Sequence, residues 1–336
     1  MLAVGLAVAF SVVAVCARAT LENARPPERL SDREFWRIVT EFSEPNGYFR
    51  SDNLTSNERG FQLVIPDLVR RTAPGGVYLG VGPEQNFTYI VAVRPAFVVI
   101  FDIRRGNMLL QLMYKALFEL AKDRADFVSL LFSKPRPRGL GPKSTVVELF
   151  AAFAGSAGDE RLYRQNLTSV ADRLAKTRGL PLSKDDLMGI ENVYHVFYSR
   201  GFAVRPWPSY EDLMTQTDNA GAHRSYLATE ESFAILKDLE SRNLVVPVVG
   251  DFGGPKALRA VGAYLKARKA RVSAFYLSNV EQYLYQDQKW SRFCKNVASL
   301  PLDTSSTFIR SSSTGGFMRF VSSLGSMPTE VKNCGA

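Results

Sequence analysis

The spacing of apolar and polar residues changes period several times along the chain, and each change marks an element. From Glu34 to Phe42 the apolar positions are Phe35, Ile38, Val39 and Phe42, the repeat of a helix with one buried face. Ser31-Asp32-Arg33-Glu34 ahead of it has the form of a capping box. Residues 47–61 are polar and turn-rich between Tyr48 and Phe61. They predict a loop that either lies over a ligand-bearing rim, offering Arg50, Asp52, Asn53 or Glu58, or closes on itself as a solvated turn. Phe61–Arg71 predicts a short helix ending at Pro74-Gly75-Gly76. Val77–Leu79 then reads as a short buried strand, Asn86–Val93 as a helix closed by Pro95, and Phe97–Ile103 (FVVIFDI) as a strand covered on both faces. Asn107–Phe132 predicts one long helix.

Beyond the Pro- and Gly-dense loop at 134–145, residues 146–240 are mostly helical, with signals at Val146–Phe153, Arg161–Lys176 and Lys184–Tyr198. Strand patterns resume at Leu244–Val249, Arg271–Leu277 and Thr307–Arg310, with a helix at Lys256–Lys269. A Ser/Gly-rich loop and a short helix are expected to close the chain. Strands alternating with helices imply an α/β fold with a mostly parallel, doubly wound, Rossmann-like sheet, helices on both faces and a helical insertion. The expected organisation is a signal peptide at 1–19, N-terminal helices and a first βαβ unit at 20–133, a helical insertion or lid at 134–240, and the second half of the sheet at 241–336.

The first 19 residues bring in the question of location. Residues 2–17 carry no charge, and Ala17-Arg18-Ala19 has the small-x-small pattern of a cleavage site. Export to the periplasm or beyond is expected, with an uncleaved anchor and a buried first helix as alternatives. Two cysteines, Cys294 and Cys334, would remain; they could pair in an oxidising compartment, but Cys294 lies in an apolar stretch and is expected rather to be a plain buried thiol. His195, among Val193, Tyr194, Val196 and Phe197, is expected to be packed within its helix. Two histidines and no Cys-x-x-Cys argue against a metal site. The net charge of +9 comes from scattered bases without an aromatic-interleaved stripe, which argues against nucleic acid as partner. No P-loop and no Gly-x-Ser-x-Gly elbow occur.

Candidate chemistry gathers where strands end. After the first strand come Gly80, Gly82, Glu84 and Asn86, and after the second, Asp102. Gly250, Asp251, Gly253 and Gly254 follow the strand at 244–249, and Ser278, Asn279 and Glu281 follow the strand at 271–277. In a parallel sheet these ends share one rim, where ligands bind. Glycines let a backbone approach a ligand. Asp102 stands 22 residues after Gly80, near the spacing at which an acid takes a ribose diol.

The stretch 77–104 resembles the first nucleotide-binding unit of class I S-adenosylmethionine-dependent methyltransferases. That resemblance implies S-adenosylmethionine as cofactor, with its methionine moiety near Gly80 and Gly82, Glu84 and Asn86 in the same loop, and its ribose on Asp102. Asp251, Asn279 and Glu281 would then face the acceptor. Tyr78 stands where such loops carry an acid, and Glu84 where they carry a third glycine. The whole chain also resembles an uncharacterised family of exported bacterial proteins, through stretches such as EFSEPNGYFRSDNLTSNE and VPVVGDFGGPKALRAVGAYL. Three functions stay open: methyl transfer, non-catalytic binding of a small molecule at a degenerate cofactor site, and hydrolysis by the carboxylates Asp52, Glu58, Asp251 and Glu281.

Overall fold

The computed structural model describes residues 26–205, 207–313 and 320–334. The expected signal peptide lies outside them. Among the described residues no helix is long and apolar enough to cross a membrane.

Helix α1 (Asp32–Glu41) buries Phe35, Ile38 and Val39 against the sheet. Only half of its capping box forms: Ser31 Oγ accepts from the Glu34 N–H at 3.2 Å, while the Glu34 carboxylate turns to Arg37 and Arg268. A 3₁₀ turn at Phe61–Val64 leads into α2 (Ile65–Arg71). The first βαβ unit follows as β1 (Val77–Val81), α3 (Gln85–Val93) and β2 (Phe97–Asp102).

Between β2 and β3 (Val245–Val249) the described residues form seven α-helices: α4 (Arg105–Leu120), α5 (Arg124–Phe132), α6 (Val146–Ala154), α7 (Glu160–Asp172), α8 (Lys184–Arg200), α9 (Tyr210–Thr215) and α10 (Glu230–Ser241). Helix α4 lies on β2 and β3 and carries α8 and α10 on its other side. Aromatic rings bind this layer together, with Phe118 and Phe127 stacked 4.5 Å apart and Phe233 and Tyr226 around them. The remainder is α11 (Ala257–Ala267), β4 (Val272–Ser278), α12 (Val280–Gln286), α13 (Trp290–Ala298), β5 (Thr307–Ser313), β6 (Phe320–Ser326) and α14 (Met327–Asn333).

The six strands lie in the order β3-β2-β1-β4-β5-β6. All neighbours pair in parallel except β6, which runs antiparallel to β5. Every residue of β2 and β3 is buried, as the unbroken apolar runs FVVIFD and VVPVV require. The chain begins in mid-sheet at β1, moves outward to β3, then crosses back to lay β4 beside β1. That reversal opens a crevice beyond the carboxyl ends of β1 and β4.

Four expectations are corrected. The helix predicted over 107–132 is two, because Asp123 takes an extended backbone and caps α5 by accepting from the Asp126 N–H at 2.8 Å. Thr307–Arg310 is not the final strand; β6 follows it, its Ser- and Gly-rich sequence held by pairing with β5 rather than by its own preference. His195 is exposed and meets Tyr163 and Tyr198 edge-on at the surface. Cys294 is not a free thiol: it is bonded to Cys334, fastening α13 to the end of α14 across 40 residues.

A closed loop of that length raises stability mainly by restricting the unfolded chain, by about 2–4 kcal/mol. Cys334→Ser should lower the urea-unfolding free energy by that amount under non-reducing conditions, and reductant should bring the wild type to the same midpoint.

Candidate functional site

The chain reaches the crevice by lacing itself across the strand ends. The Glu44 N–H donates to the Val249 carbonyl at 2.8 Å, and the Gly47 N–H to the Ile103 carbonyl at 2.7 Å. Asn46 Oδ1 accepts from the Arg105 N–H at 2.7 Å. Residues 48–58 then lie over the rim, the first of the two arrangements open for them. Phe49 meets Tyr283 of α12 edge-on at 5.1 Å, and Arg50 donates to the Tyr283 hydroxyl at 3.0 Å. Between this loop and the ends of β1, β2, β3 and β4 lies a cleft of about 680 Å³. That volume is ordinary for a small-molecule site, whose usual range is roughly 300–1,000 Å³.

The glycine corner after β1 divides into a packed half and an open half. A Cβ on Gly80 would sit 1.8 Å from Asn86 Oδ1 and 2.8 Å from the Tyr78 ring. Gly80 is therefore glycine so that the Asn86 amide can enter the corner. Asn86 accepts there from the Tyr78 hydroxyl at 3.0 Å and donates to the Val81 and Pro83 carbonyls at 2.9 and 2.7 Å. Gly82 is different. Its φ is +80°, a Cβ there would meet nothing within 4 Å, and it lines the cleft. Glu84 is wholly buried and does not line the cleft. One carboxylate oxygen accepts from the Ser56 N–H at 3.0 Å, and the other has no partner. Burial pushes its pKa up to about 7, against the opposing pull of the Ser56 N–H.

Asp102 stands on the cleft wall at the end of β2, and Arg104 folds back onto it. Its carboxylate accepts from the Arg104 N–H at 2.8 Å, Nε at 3.2 Å and an Nη at 3.3 Å. Burial raises the Asp102 pKa, and the Arg104 guanidinium opposes that rise. Arg104 also reaches Asp52 of the loop at 3.2 Å.

Asp251 lines the cleft too, turned inward by accepting from the Gly253 N–H at 2.8 Å and paired with Lys289 at 2.7 Å. Glu44 fills the turn behind it, accepting from the Lys256 and Ala257 N–H groups at 2.8 Å each, and Gly254 leaves room for that carboxylate. The second glycine turn thus holds a side chain of the protein itself. Asn279 faces the cleft. Glu281 does not; it pairs with Arg310 at 2.6 and 3.0 Å, tying α12 to β5.

The structure therefore brings Gly82, Asp102, Asp251 and Asn279 to one cavity and leaves Gly80, Glu84, Asn86 and Glu281 outside its lining. For S-adenosylmethionine the fit is divided. The open backbone at Gly82 and the carboxyl of Asp102 suit the ribose half, while Asn86 occupies the space above Gly80. Sequence reasoning missed Arg205 on the cleft wall, and it placed Gln85 and Ser278 at the strand ends and Glu58 in the loop without bringing the three together. Gln85 Nε2 donates to Glu58 at 2.9 Å, and Ser278 donates to the same carboxylate. No period or motif marks a polar side chain that a loop buries; the one signal was Gln85 opening an otherwise apolar helix.

A family model described as "Domain of unknown function (DUF7790)" matches residues 53–329, from the loop over the cleft to the last helix. No curated protein matches the chain.

Because Glu84 is protonated more readily folded than unfolded, its share of stability is full below the unfolded value near 4.5 and is lost as pH rises through about 7. Glu84→Gln should flatten that decline. Urea titrations at pH 5 and pH 8 should show the variant gaining on wild type at the higher pH, by up to about 3 kcal/mol.

Proposed function

Because the chain belongs to the DUF7790 family, whose description assigns no function, we propose one from the cleft itself: a Rossmann-like protein that binds a ribose-bearing small molecule, in the arrangement of class I S-adenosylmethionine-dependent methyltransferases. The observation that carries it is the placement of Gly82 and Asp102 side by side, at the ends of the adjacent strands β1 and β2, on the wall of the crevice where strand order reverses. The left-handed backbone of Gly82 offers a ligand an approach that a Cβ would close. Asp102 offers the carboxyl for a diol. Arg104 shares that carboxyl, so a ligand with an anionic group beside its ribose suits the corner better than a neutral one.

S-adenosylmethionine is the first ligand to try. Bound here it would supply an electrophilic methyl group. The chain's own part would be to hold the ribose at Gly82 and Asp102 and to align an acceptor from the side of Asp251 and Asn279, a contribution of proximity and orientation.

A second reading, ligand binding without methyl transfer, has its own support. Asn86 occupies the space above Gly80, and the Cys294–Cys334 bond suits the oxidising compartment that an export signal implies, away from the cytoplasmic pool of S-adenosylmethionine. In both readings the protein is exported.

Titration calorimetry separates them. S-adenosylmethionine or S-adenosylhomocysteine should bind with micromolar affinity, and Gly82→Ala, which puts a methyl group on a left-handed backbone facing the cleft, should weaken binding at least tenfold. If neither these ligands nor adenosine nucleotides bind, the ribose site is refuted. Binding without methyl transfer to any acceptor in an extract would favour the second reading.

A further inference from the structure

Ser278, the last residue of β4, has φ +51°, a left-handed backbone that a side chain other than glycine adopts only when its surroundings enforce it. It stands on the cleft wall, between a strand and the helix α12, with its hydroxyl beside a carboxylate. Ser278 Oγ donates to Glu58 Oε1. Glu58 is almost wholly buried yet lines the same cleft, and among the described residues no cation pairs with it.

Its second oxygen accepts from Gln85 Nε2 at 2.9 Å. Gln85 is fixed in turn, with Ser56 Oγ donating to its Oε1 and its Nε2 also reaching the Tyr89 hydroxyl at 3.1 Å. The Glu58 N–H donates to Ser56 Oγ at 3.1 Å, which closes the network. A hydroxyl hydrogen-bonded to a base, with that base oriented by a third group, is the arrangement of an activated nucleophile.

We propose that Ser278 is a nucleophile, with Glu58 as its general base and Gln85 as the positioning residue for that base, giving the cleft an activity that hydrolyses small carboxylic esters. In the first step Ser278 Oγ forms a bond to the acyl carbon while its proton passes to Glu58. The ester C–O bond then breaks, and the leaving alkoxide takes the proton from Glu58 and departs as the alcohol. In the second step Glu58 takes a proton from water, the hydroxide adds to the acyl-serine, and the carboxylic acid leaves as Ser278 recovers its proton. Burial raises the Glu58 carboxyl above its ordinary pKa, which makes the ionised form a stronger base. Asn279 lies next to the nucleophile, its Oδ1 3.3 Å from Ser278 Oγ. A half-turn of that amide exchanges oxygen for Nδ2, a donor for the oxyanion.

The strain at Ser278 has a use in this reading. Glycine would fit the backbone better, so a serine there is retained for its hydroxyl. Ester hydrolysis goes beyond ribose binding at Gly82 and Asp102, and the two are measured separately.

The test uses the full chain and a fluorophosphonate probe, whose phosphorus takes the serine oxygen as fluoride leaves. Peptide mapping should find one phosphonate per chain on Ser278. Ser278→Ala and Ser278→Gly should take up none, with Ser278→Gly melting no lower than wild type. Glu58→Gln should label about 100-fold more slowly, within the usual 10²–10⁴ range for a general base, while keeping the circular dichroism spectrum and cooperative melting of the wild type as a check on its fold. An unmodified Ser278 in the folded wild type, or Glu58→Gln labelling at the wild-type rate, would overturn the proposal.

Discussion

The corner after β1 rests on one side chain amide. Asn86, itself fully buried, accepts the Tyr78 hydroxyl and donates to the carbonyls of Val81 and Pro83 on either side of Gly82. A buried polar group left without a partner costs roughly 1–3 kcal/mol, so removing this amide would expose several such debts at once. The requirement reaches outward from there. The amide needs the space that Gly80 leaves, and the turn it holds places Gly82 at the mouth of the crevice. Helix α3 then starts with Gln85, on which the covering loop is anchored.

The buried acids behind the sheet and those near the cleft have different kinds of partner. Behind the sheet, Glu119 pairs with Lys115 at 2.9 Å and with Arg178 at 2.8 Å, charge against charge. Near the cleft, Glu58 and Glu84 are held by neutral donors alone, and both carboxyls are raised by burial. The two solutions differ in what they leave free. An ion pair fixes a carboxylate and spends its basicity, whereas hydroxyl and amide donors orient it and keep it able to take a proton.

Much of the scaffold was legible because it is periodic or uniformly apolar. FVVIFDI and LVVPVV can only be strands covered on both faces, and the one-sided face from Phe35 to Phe42 can only be a helix on a core. Local chemistry without a period was harder to read. Asp123 breaks a helix whose apolar positions continue past it, and β6 is a strand because β5 offers it partners. The rim was readable from the rule that strand ends share an edge, which brought Gly82, Asp102, Asp251 and Asn279 together. What each residue does at the rim was not, since the different roles of Gly80 and Gly82 depend on where the side-chain amide of Asn86 comes to rest. Glu281 shows the same limit, being drawn to Arg310 from a strand distant in sequence.

The bond between Cys294 and Cys334 bears on a different hazard. Among the described residues β6 is the edge strand of the sheet, and its outer row of N–H and C=O groups pairs with no further strand. Such an edge is a template on which another chain can add itself. The helix that follows β6 is the part covalently tied back to α13, so the edge is held within a ring of 40 residues. A reduced chain would lose that tether first at its most adhesive border. The crosslink therefore constrains the open edge of the sheet as well as the unfolded chain.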